Sequence, residues 1–478
     1  MSESELAQPD LCVIGAGSAG LSVAAIAASF GVPVVLIEKH RMGGECLNVG
    51  CVPSKALIAA AGRRRAAEAA GPFGVTAGSV EVDPARVRDH VRGVIASIAP
   101  TDSVERFTAL GVRVIRAEAR FTDWGTVETG GVTVKARRFV LATGSRPAVP
   151  PIPGLDGVGY LTNETVFDLA ETPRRLIVIG GGPIGVELAQ AHRRLGAEVT
   201  VIEAAPRILS REDPEMAMVI ERALREEGVD LRPGAAIERV EAGPEGGVAV
   251  HLGGEASEIV EGTHLLVATG RAPVVDGLGL EEAGIAFDAK GIQVDKGLRT
   301  TNSRVYAIGD CTAGGYRFTH MANHHAGLVI RNALFRLPVS VDTRTIPRVT
   351  YCDPELAAVG LSEEEARASG KAFRVLRWPF AENDRARTER ATRGHVKAIV
   401  TPRGKVLGCA IAGAHAGELI VPWALAIAKG LKVQDLAGLV FPYPTYSEVT
   451  KRAAVEFLRP SAQNPLLRRI LGVVRRLG

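Results

Sequence analysis

The stretch Leu11-Cys12-Val13-Ile14-Gly15-Ala16-Gly17-Ser18-Ala19-Gly20 decides the fold. Leu11 to Ile14 is an apolar run of strand length, and the glycine loop behind it opens an alanine-rich segment to Phe30 that reads as a helix. A second apolar strand, Val34 to Ile37, ends at Glu38. Each residue type in this order has a physical task. Gly15 makes the tight turn, and Gly17 lets backbone N–H groups approach a pyrophosphate at the helix N-terminus. Gly20 allows helix to pack on strand, and Glu38 reaches a ribose hydroxyl. A glycine triplet alone would also suit an ordinary turn; strand, helix, second strand and acid together predict a dinucleotide-binding unit. The pattern then returns. Leu176 to Ile179, the loop Gly180-Gly181-Gly182-Pro183-Ile184-Gly185 and the strand Glu198 to Ile202 ending at Glu203 repeat it, with Gly180, Gly182 and Gly185 in the same three roles. In both copies the acid stands 23 residues after the first glycine. Two such units predict an α/β protein with two Rossmann-like domains and electron transfer between two bound dinucleotides. Glu203 predicts NAD(H) over NADP(H), because a carboxylate there accepts from a free 2′-hydroxyl and repels a 2′-phosphate; Arg207, four residues on, works against this.

The whole chain has 478 residues, 46% of them hydrophobic and 23% charged, enough for about three domains of roughly 150 residues. That charge level excludes a chain disordered throughout. Fifty-seven basic side chains against 53 acidic ones leave +4, too small a sum to indicate a nucleic-acid partner. The 54 glycines are about 11% of the chain against a usual ~7%, which predicts many tight turns and close backbone approaches to ligand. Six cysteines in this length do not make a secreted disulfide scaffold. Met1 to Asp10 is polar and acidic, without the basic start and apolar core of a signal peptide, and no window approaches 18 uncharged apolar residues. The expected address is a reducing cytoplasm, where a close cysteine pair is catalytic or metal-binding more often than structural.

Such a pair lies in Gly43-Gly44-Glu45-Cys46-Leu47-Asn48-Val49-Gly50-Cys51-Val52-Pro53-Ser54-Lys55. Five residues apart in an ideal helix, the two Cα atoms would be roughly 8–9 Å apart, beyond the ~7 Å limit for a disulfide, and Gly50 would let the chain bend to close the gap. A zinc half-site would need a second Cys/His pair at suitable spacing, which the sequence lacks. Unrelated structural cysteines are the third reading.

With these segments the sequence resembles the FAD-dependent pyridine nucleotide–disulfide oxidoreductases, the group of lipoamide dehydrogenase, glutathione reductase and mercuric reductase, over nearly its whole length. The further matching pieces are Leu141-Ala142-Thr143-Gly144, Val267-Ala268-Thr269-Gly270-Arg271 and Tyr306-Ala307-Ile308-Gly309-Asp310. The resemblance implies that Glu38 and Asp310 bind FAD hydroxyls, with Gly44, Thr143, Gly144, Gly270 and Gly309 in the cofactor-binding set. It implies a redox-active Cys46–Cys51 disulfide, with Cys51 facing the flavin and Cys46 meeting the substrate. Lys55 and Glu187 match the family's ion pair beside the flavin, where a cation favours both the reduced ring and the Cys51 thiolate. Electrons would run from NAD(P)H through FAD and the disulfide to an acceptor. The family's interface domain implies a homodimer in which Tyr443 and Glu448 reach the partner's cysteines.

Several positions depart from the family pattern. Where lipoamide dehydrogenase and glutathione reductase have His-Pro-Thr-x-x-Glu, this chain has Tyr443-Pro444-Thr445-Tyr446-Ser447-Glu448. A phenol with an ordinary pKa of about 10 is a poor base at neutral pH, which disfavours dithiol–disulfide exchange. A tyrosine here is similar to mercuric reductase, as are Gly309-Asp310-Cys311-Thr312, Gly417-Glu418-Leu419-Ile420 and the run from Val433 to Phe457. The last cysteine is Cys409, so the C-terminal cysteine pair of mercuric reductase is missing. Glu45 stands where the family usually has threonine; it reads either as an acid that shares a metal ion with Cys46 or as a solvent-facing one. Phe318 to His325 should begin a helix near the flavin, and its His320, His324 and His325 read as surface or flavin contacts, as an acid/base in His320, or as metal ligands. Cys12, Cys311 and Cys352 read as buried small hydrophobes. Glu382 to Ala391, with three arginines and three acids, reads as a solvated salt-bridge face.

The segment Arg459 to Gly478 holds five arginines and no acid, with Leu466, Leu467, Ile470, Leu471, Val474 and Leu477 at helical spacing. It reads as a basic amphipathic helix lying on an anionic membrane surface or docked on its own dimer. The expected domains are FAD-binding to residue 148, NAD(P)-binding 149–272, a central domain completing the FAD site at 273–345, a dimerisation domain at 346–458 and the tail 459–478. The expected function is electron transfer to a metal ion, with a dithiol–disulfide reductase or a membrane-associated module donating to a quinone or protein as alternatives.

Overall fold

A computed structural model describes residues 5–253, 258–315 and 317–476. Residues 1–4 of the polar start and Leu477 of the tail pattern lie outside the described residues. The chain builds the predicted α/β architecture from three sheet-centred units. In the first, the strand Leu11–Ile14 is buried at every residue because both faces are covered: Leu11 and Val13 pack with helix residues such as Val23 and Val329, and Cys12 and Ile14 with Phe121, Val127 and Val134 of a small neighbouring sheet. It pairs in parallel with Val34–Ile37 on one side and with Arg138–Leu141 on the other. Arg113–Ile115 forms one edge of this five-stranded sheet, and Val305–Ala307, from far along the chain, forms the other. The helix Ser18–Ser29 makes the crossover and packs on the helix Thr319–Ala333. Ser18 and Ser22 both donate to the Asn323 side chain across that contact.

The second unit repeats the plan. Its parallel strands run in the order Asp230–Pro233, Glu198–Glu203, Arg175–Ile179, His264–Val267, with the helix Pro183–Leu195 as crossover. A three-stranded antiparallel sheet, Ile237–Ala242, Val248–Leu252 and Glu258–Gly262, lies beside it. The glycine turns coincide in detail. Gly15 and Gly180 have φ of +104° and +113°, and a methyl group at either would meet the carbonyl oxygen of Ala142 or Ala268 within 2.5 Å. Helix and strand approach so closely that a methyl at Gly20 or Gly185 would lie within 1.9 Å of the first glycine's carbonyl oxygen.

The third unit is an antiparallel sheet in the order Arg348–Thr350, Glu355–Gly360, Val406–Gly413, His395–Val400, Arg374–Pro379. The helices Val421–Lys429 and Glu448–Glu456 share a core with it that includes the fully buried Trp423. The helix Pro214–Glu226 of the second unit also packs against this sheet. The chain then continues through a short turn, Arg459–Gln463, into the helix Pro465–Val474, none of whose residues is buried.

Candidate functional site

The two dinucleotide loops hold their acids in one way. Glu38 accepts from the backbone N–H of Ala16 and of His40, both at 2.7 Å, and Glu203 accepts from Gly181 and Ala205, also at 2.7 Å. Each carboxylate oxygen is thereby anchored by one amide and keeps acceptor capacity for a ribose hydroxyl. The middle glycines do not serve internal packing: a methyl at Gly182 would meet nothing within 4 Å, and one at Gly17 would be 3.8 Å from its nearest neighbour, Gly44. Open space over the helix N-terminus together with a fixed acid fits a dinucleotide in each loop. Arg207 is turned to the Leu209 carbonyl, to which it donates at 3.0 Å. Thr143 donates to the Val274 carbonyl at 2.7 Å, and Gly144, Gly270 and Gly309 all have positive φ.

The cysteine segment is not one helix. Gly44–Asn48 and Cys51–Glu68 are separate helices broken at Val49 and Gly50, which removes the spacing objection of a continuous helix. A methyl at Gly50 would sit 2.9 Å from the Glu45 carbonyl oxygen and 3.3 Å from the Cys46 Cα, so the close approach of the two helices needs glycine there. Neither cysteine is disulfide-bonded here, and the two thiols act on one another so that their protons are held very unequally. The hydrogen bond from Cys46 is the main influence that lowers the Cys51 thiol to about 6. Burial opposes it, while the Thr319 hydroxyl, 3.4 Å from the sulfur, and the charge of Lys55 reinforce it. Cys51 is also the first residue of its helix, where the dipole favours an anion. The same shared bond, with burial and the Cys51 charge, pushes Cys46 far up.

Lys55, one turn along, donates to Glu187 at 2.7 Å; the acid is nearly buried and the lysine about one-third exposed. The second oxygen of Glu187 accepts from the Tyr351 backbone N–H at 2.8 Å, and the Lys55 ammonium lies 4.2 Å from the Tyr351 ring centre. Three units of the chain thus meet at this pair. Neither Thr319 nor Tyr351 was found in the sequence. Thr319 lies beside the conspicuous histidines, and nothing around Tyr351 distinguishes it from a core aromatic.

Glu45 corrects the solvent-facing reading. It is turned inward and not to open solvent, and the cation beside it is an arginine: its carboxylate pairs with Arg271 and accepts from Asn163 at 3.2 Å. Burial still raises its pKa against the pull of Arg271. Arg271 also donates to the Ser145 hydroxyl at 2.8 Å, and that hydroxyl donates to Asp310 at 2.6 Å. A continuous polar chain therefore joins the residue before Cys46 to the acid of the Gly309–Asp310 loop. Arg271 directly follows Gly270 in the quoted motif, which was the available signal.

The histidines separate. His325 is buried, lowered to about 4 first by desolvation, and accepts from the Gly309 backbone N–H at 3.2 Å, so it supports the loop as a neutral ring. His320 is exposed, stacks on Phe318 and bonds the Pro347 carbonyl at 2.7 Å. Among the described residues no group of three or more His, Cys, Asp or Glu side chains is placed to hold a metal ion. Cys12, Cys311, Cys352 and Cys409 are buried. The Glu382–Ala391 stretch does more than solvate. Its Asp384 accepts from Tyr443 at 3.0 Å and its Glu389 from Tyr446 at 2.9 Å. Tyr443 is strongly exposed, and Glu448 begins its helix with Arg452 3.9 Å away. Within one chain the partners of Tyr443 and Glu448 thus belong to the C-terminal unit itself.

Comparison with known proteins bears on this arrangement. Residues 9–326 match the family described as pyridine nucleotide-disulphide oxidoreductase, and residues 346–454 match its dimerisation domain. The mercuric reductase of Bacillus cereus is 38% identical over 451 residues, covering 94% of this chain and 71% of the relative. The dihydrolipoyl dehydrogenase of Bacillus subtilis strain 168 is 36% identical over 457 residues, covering 94% and 96%. The solved Cu(II) complex of the HOCl-induced flavoprotein disulfide reductase from Escherichia coli has a TM-score of 0.83 at 31% identity, covering 92% of this chain and 98% of that one.

Proposed function

The chain belongs to the pyridine nucleotide-disulphide oxidoreductases, and from that premise we propose that it uses NADH to reduce a soft metal ion through a Cys46–Cys51 redox couple. FAD, when bound, supplies the chemistry that accepts a hydride from the nicotinamide and passes an electron pair to sulfur. The protein's own residues handle charge and protons. Lys55, fixed by Glu187, compensates negative charge at Cys51, while Cys46 retains a proton. Thiolate sulfur is the soft donor that ions such as Hg(II) or Cu(I) prefer. When the disulfide re-forms, two electrons pass to the metal ion, or to two one-electron acceptors, and the remaining thiol proton goes to solvent. Glu203, with both oxygens fixed by amides, supports NADH over NADPH, because its charge opposes a 2′-phosphate. The dimerisation domain supports a homodimer in which Tyr443 and Glu448 complete the partner's site. A cytoplasmic location suits both NADH supply and a cycling dithiol.

The observation that carries the metal reading is the Tyr443–Asp384 hydrogen bond. It raises the phenol further above its ordinary pKa, so Tyr443 is no base for dithiol exchange at neutral pH. The relatives named mercuric reductase and the Cu(II) complex add support. The second reading, a dithiol–disulfide reductase, is favoured by the similarly close dihydrolipoyl dehydrogenases. NADH oxidation is to be measured with Hg(II), Cu(II), lipoamide, glutathione disulfide and a quinone in parallel, using the wild type and Cys46→Ser. The expected result is preferred turnover with a metal ion, largely lost in Cys46→Ser. Preferred turnover of lipoamide would replace the metal reading, and full retention in Cys46→Ser would take the disulfide off the electron path.

A further inference from the structure

Among the described residues, the tail holds the one α-helix without a buried residue. Asn464 caps Pro465–Val474 by accepting from the Leu466 N–H, so the helix has a defined start. At 100° per residue its side chains separate cleanly. Leu466, Leu467, Ile470, Leu471, Val473 and Val474 fill one continuous arc, and each is 43–64% exposed. Arg468, Arg469, Arg475 and Arg476 fill the opposite arc, interrupted only by Gly472. No acid follows Glu456. The family match ends at residue 454, so this helix stands beyond the shared fold.

A ten-residue helix containing a glycine is marginal by itself in water and calls for a surface to cover its apolar face. The polar face identifies that surface. A helix docked on protein keeps its outer face soluble with charges of either sign. Here the flanking charge is arginine alone, the complement of an anionic headgroup layer. At about 1.5 Å per residue the helix is far shorter than the ~20 residues needed to cross a bilayer, and no helix among the described residues is long and apolar enough to do so. We propose that residues 465–476 form an in-plane anchor by which the enzyme docks on an anionic lipid bilayer. In a homodimer two such anchors would act together, so binding would exceed that of one helix through effective concentration.

The test uses the full-length flavin-loaded protein with vesicles of phosphatidylcholine alone or mixed with phosphatidylglycerol. Co-sedimentation with the anionic vesicles is expected, with little binding to the neutral ones and loss at high salt. Truncation after Pro460, and separately the substitution of all four helix arginines by glutamate, should each lower apparent vesicle affinity at least about tenfold. NADH oxidation and sedimentation as a dimer should be unchanged in both. Equal binding by the intact and truncated proteins would overturn the proposal, as would absence of binding to anionic vesicles. A truncated protein that falls apart into monomers would assign the apolar face to the partner subunit instead.

Discussion

Cys51 and Cys46 act on one another so that their protons divide: the Cys51 thiol is lowered to about 6, while Cys46 is pushed far up. The charged form of Cys51 is therefore present at neutral pH and is lost as pH falls through about 6, well below the ordinary thiol range of about 8.5. In the reduced protein, alkylation of Cys51 should titrate with a midpoint near that value. Removing the nearby cation in Lys55→Met should move the midpoint up by about one unit and slow reduction of the acceptor, because an opposite charge at short range is worth at least that much. An unchanged midpoint would mean that Lys55 does not act on the thiolate. Asn163 shows how such a site is assembled at single residues. Its amide holds Glu45 and also donates to the Val49 carbonyl at 3.1 Å, pinning the break between the two short helices.

The helix Pro183–Leu195 acts as more than the crossover of the second nucleotide unit. Glu187, Gln190 and Arg194 recur at i, i+3 and i+7, so they share one face. Glu187 holds Lys55 of the first unit, whereas Gln190 exchanges hydrogen bonds with the Asp353 backbone and Arg194 pairs with Glu227 and the Asp353 carboxylate. The break at Gly50 is the complementary feature on the facing helix. Gly50→Ala places a methyl against the Glu45 carbonyl and should shift Cys46 away from Cys51. The expected outcome is at least a tenfold loss of turnover, or about 1.4 kcal/mol of barrier, with a smaller change in thermal midpoint. Full activity in that variant would show that the short approach is not required. The sequence made the elements legible where one local rule dominates: the apolar strands, the glycine turns, the acids 23 residues on. It hid what depends on distant segments meeting. Glu45 looks solvent-facing until Arg271, 226 residues away, arrives beside it, and Tyr351 acquires its place under Lys55 only through the third sheet.

Across the whole molecule, the second and third units are joined by a buried charge cluster. Lys397, almost fully buried on the strand His395–Val400, donates to Asp213 at 2.8 Å and lies 2.9 Å from both Glu215 and Glu363. Arg377 is the main cause, and Lys397 a further one, that brings Glu215 down to about 2. A depressed acid contributes stability above its ordinary value near 4.5, and that contribution is lost as pH falls from there through about 2. Lys397→Met should cost about 3 kcal/mol, since it leaves the buried Asp213 without its cation, and should move acid unfolding to higher pH. Calorimetry across pH checks both, and an unaltered acid transition would exclude the cluster as its determinant. None of this is legible in the strand His395–Val400 by itself, because partners in a cluster are set by how whole units pack. The order of strands in the first sheet has a consequence for biosynthesis. Its edge strand Val305–Ala307 leaves the ribosome about 160 residues after its neighbour Arg138–Leu141, a delay of roughly 8–30 s at ~5–20 residues per second. All four strands of the second sheet, between Arg175 and Val267, emerge within that interval. The nucleotide unit encoded second can therefore close first, while the one encoded first waits with an unpaired edge in need of shielding until the chain returns to it.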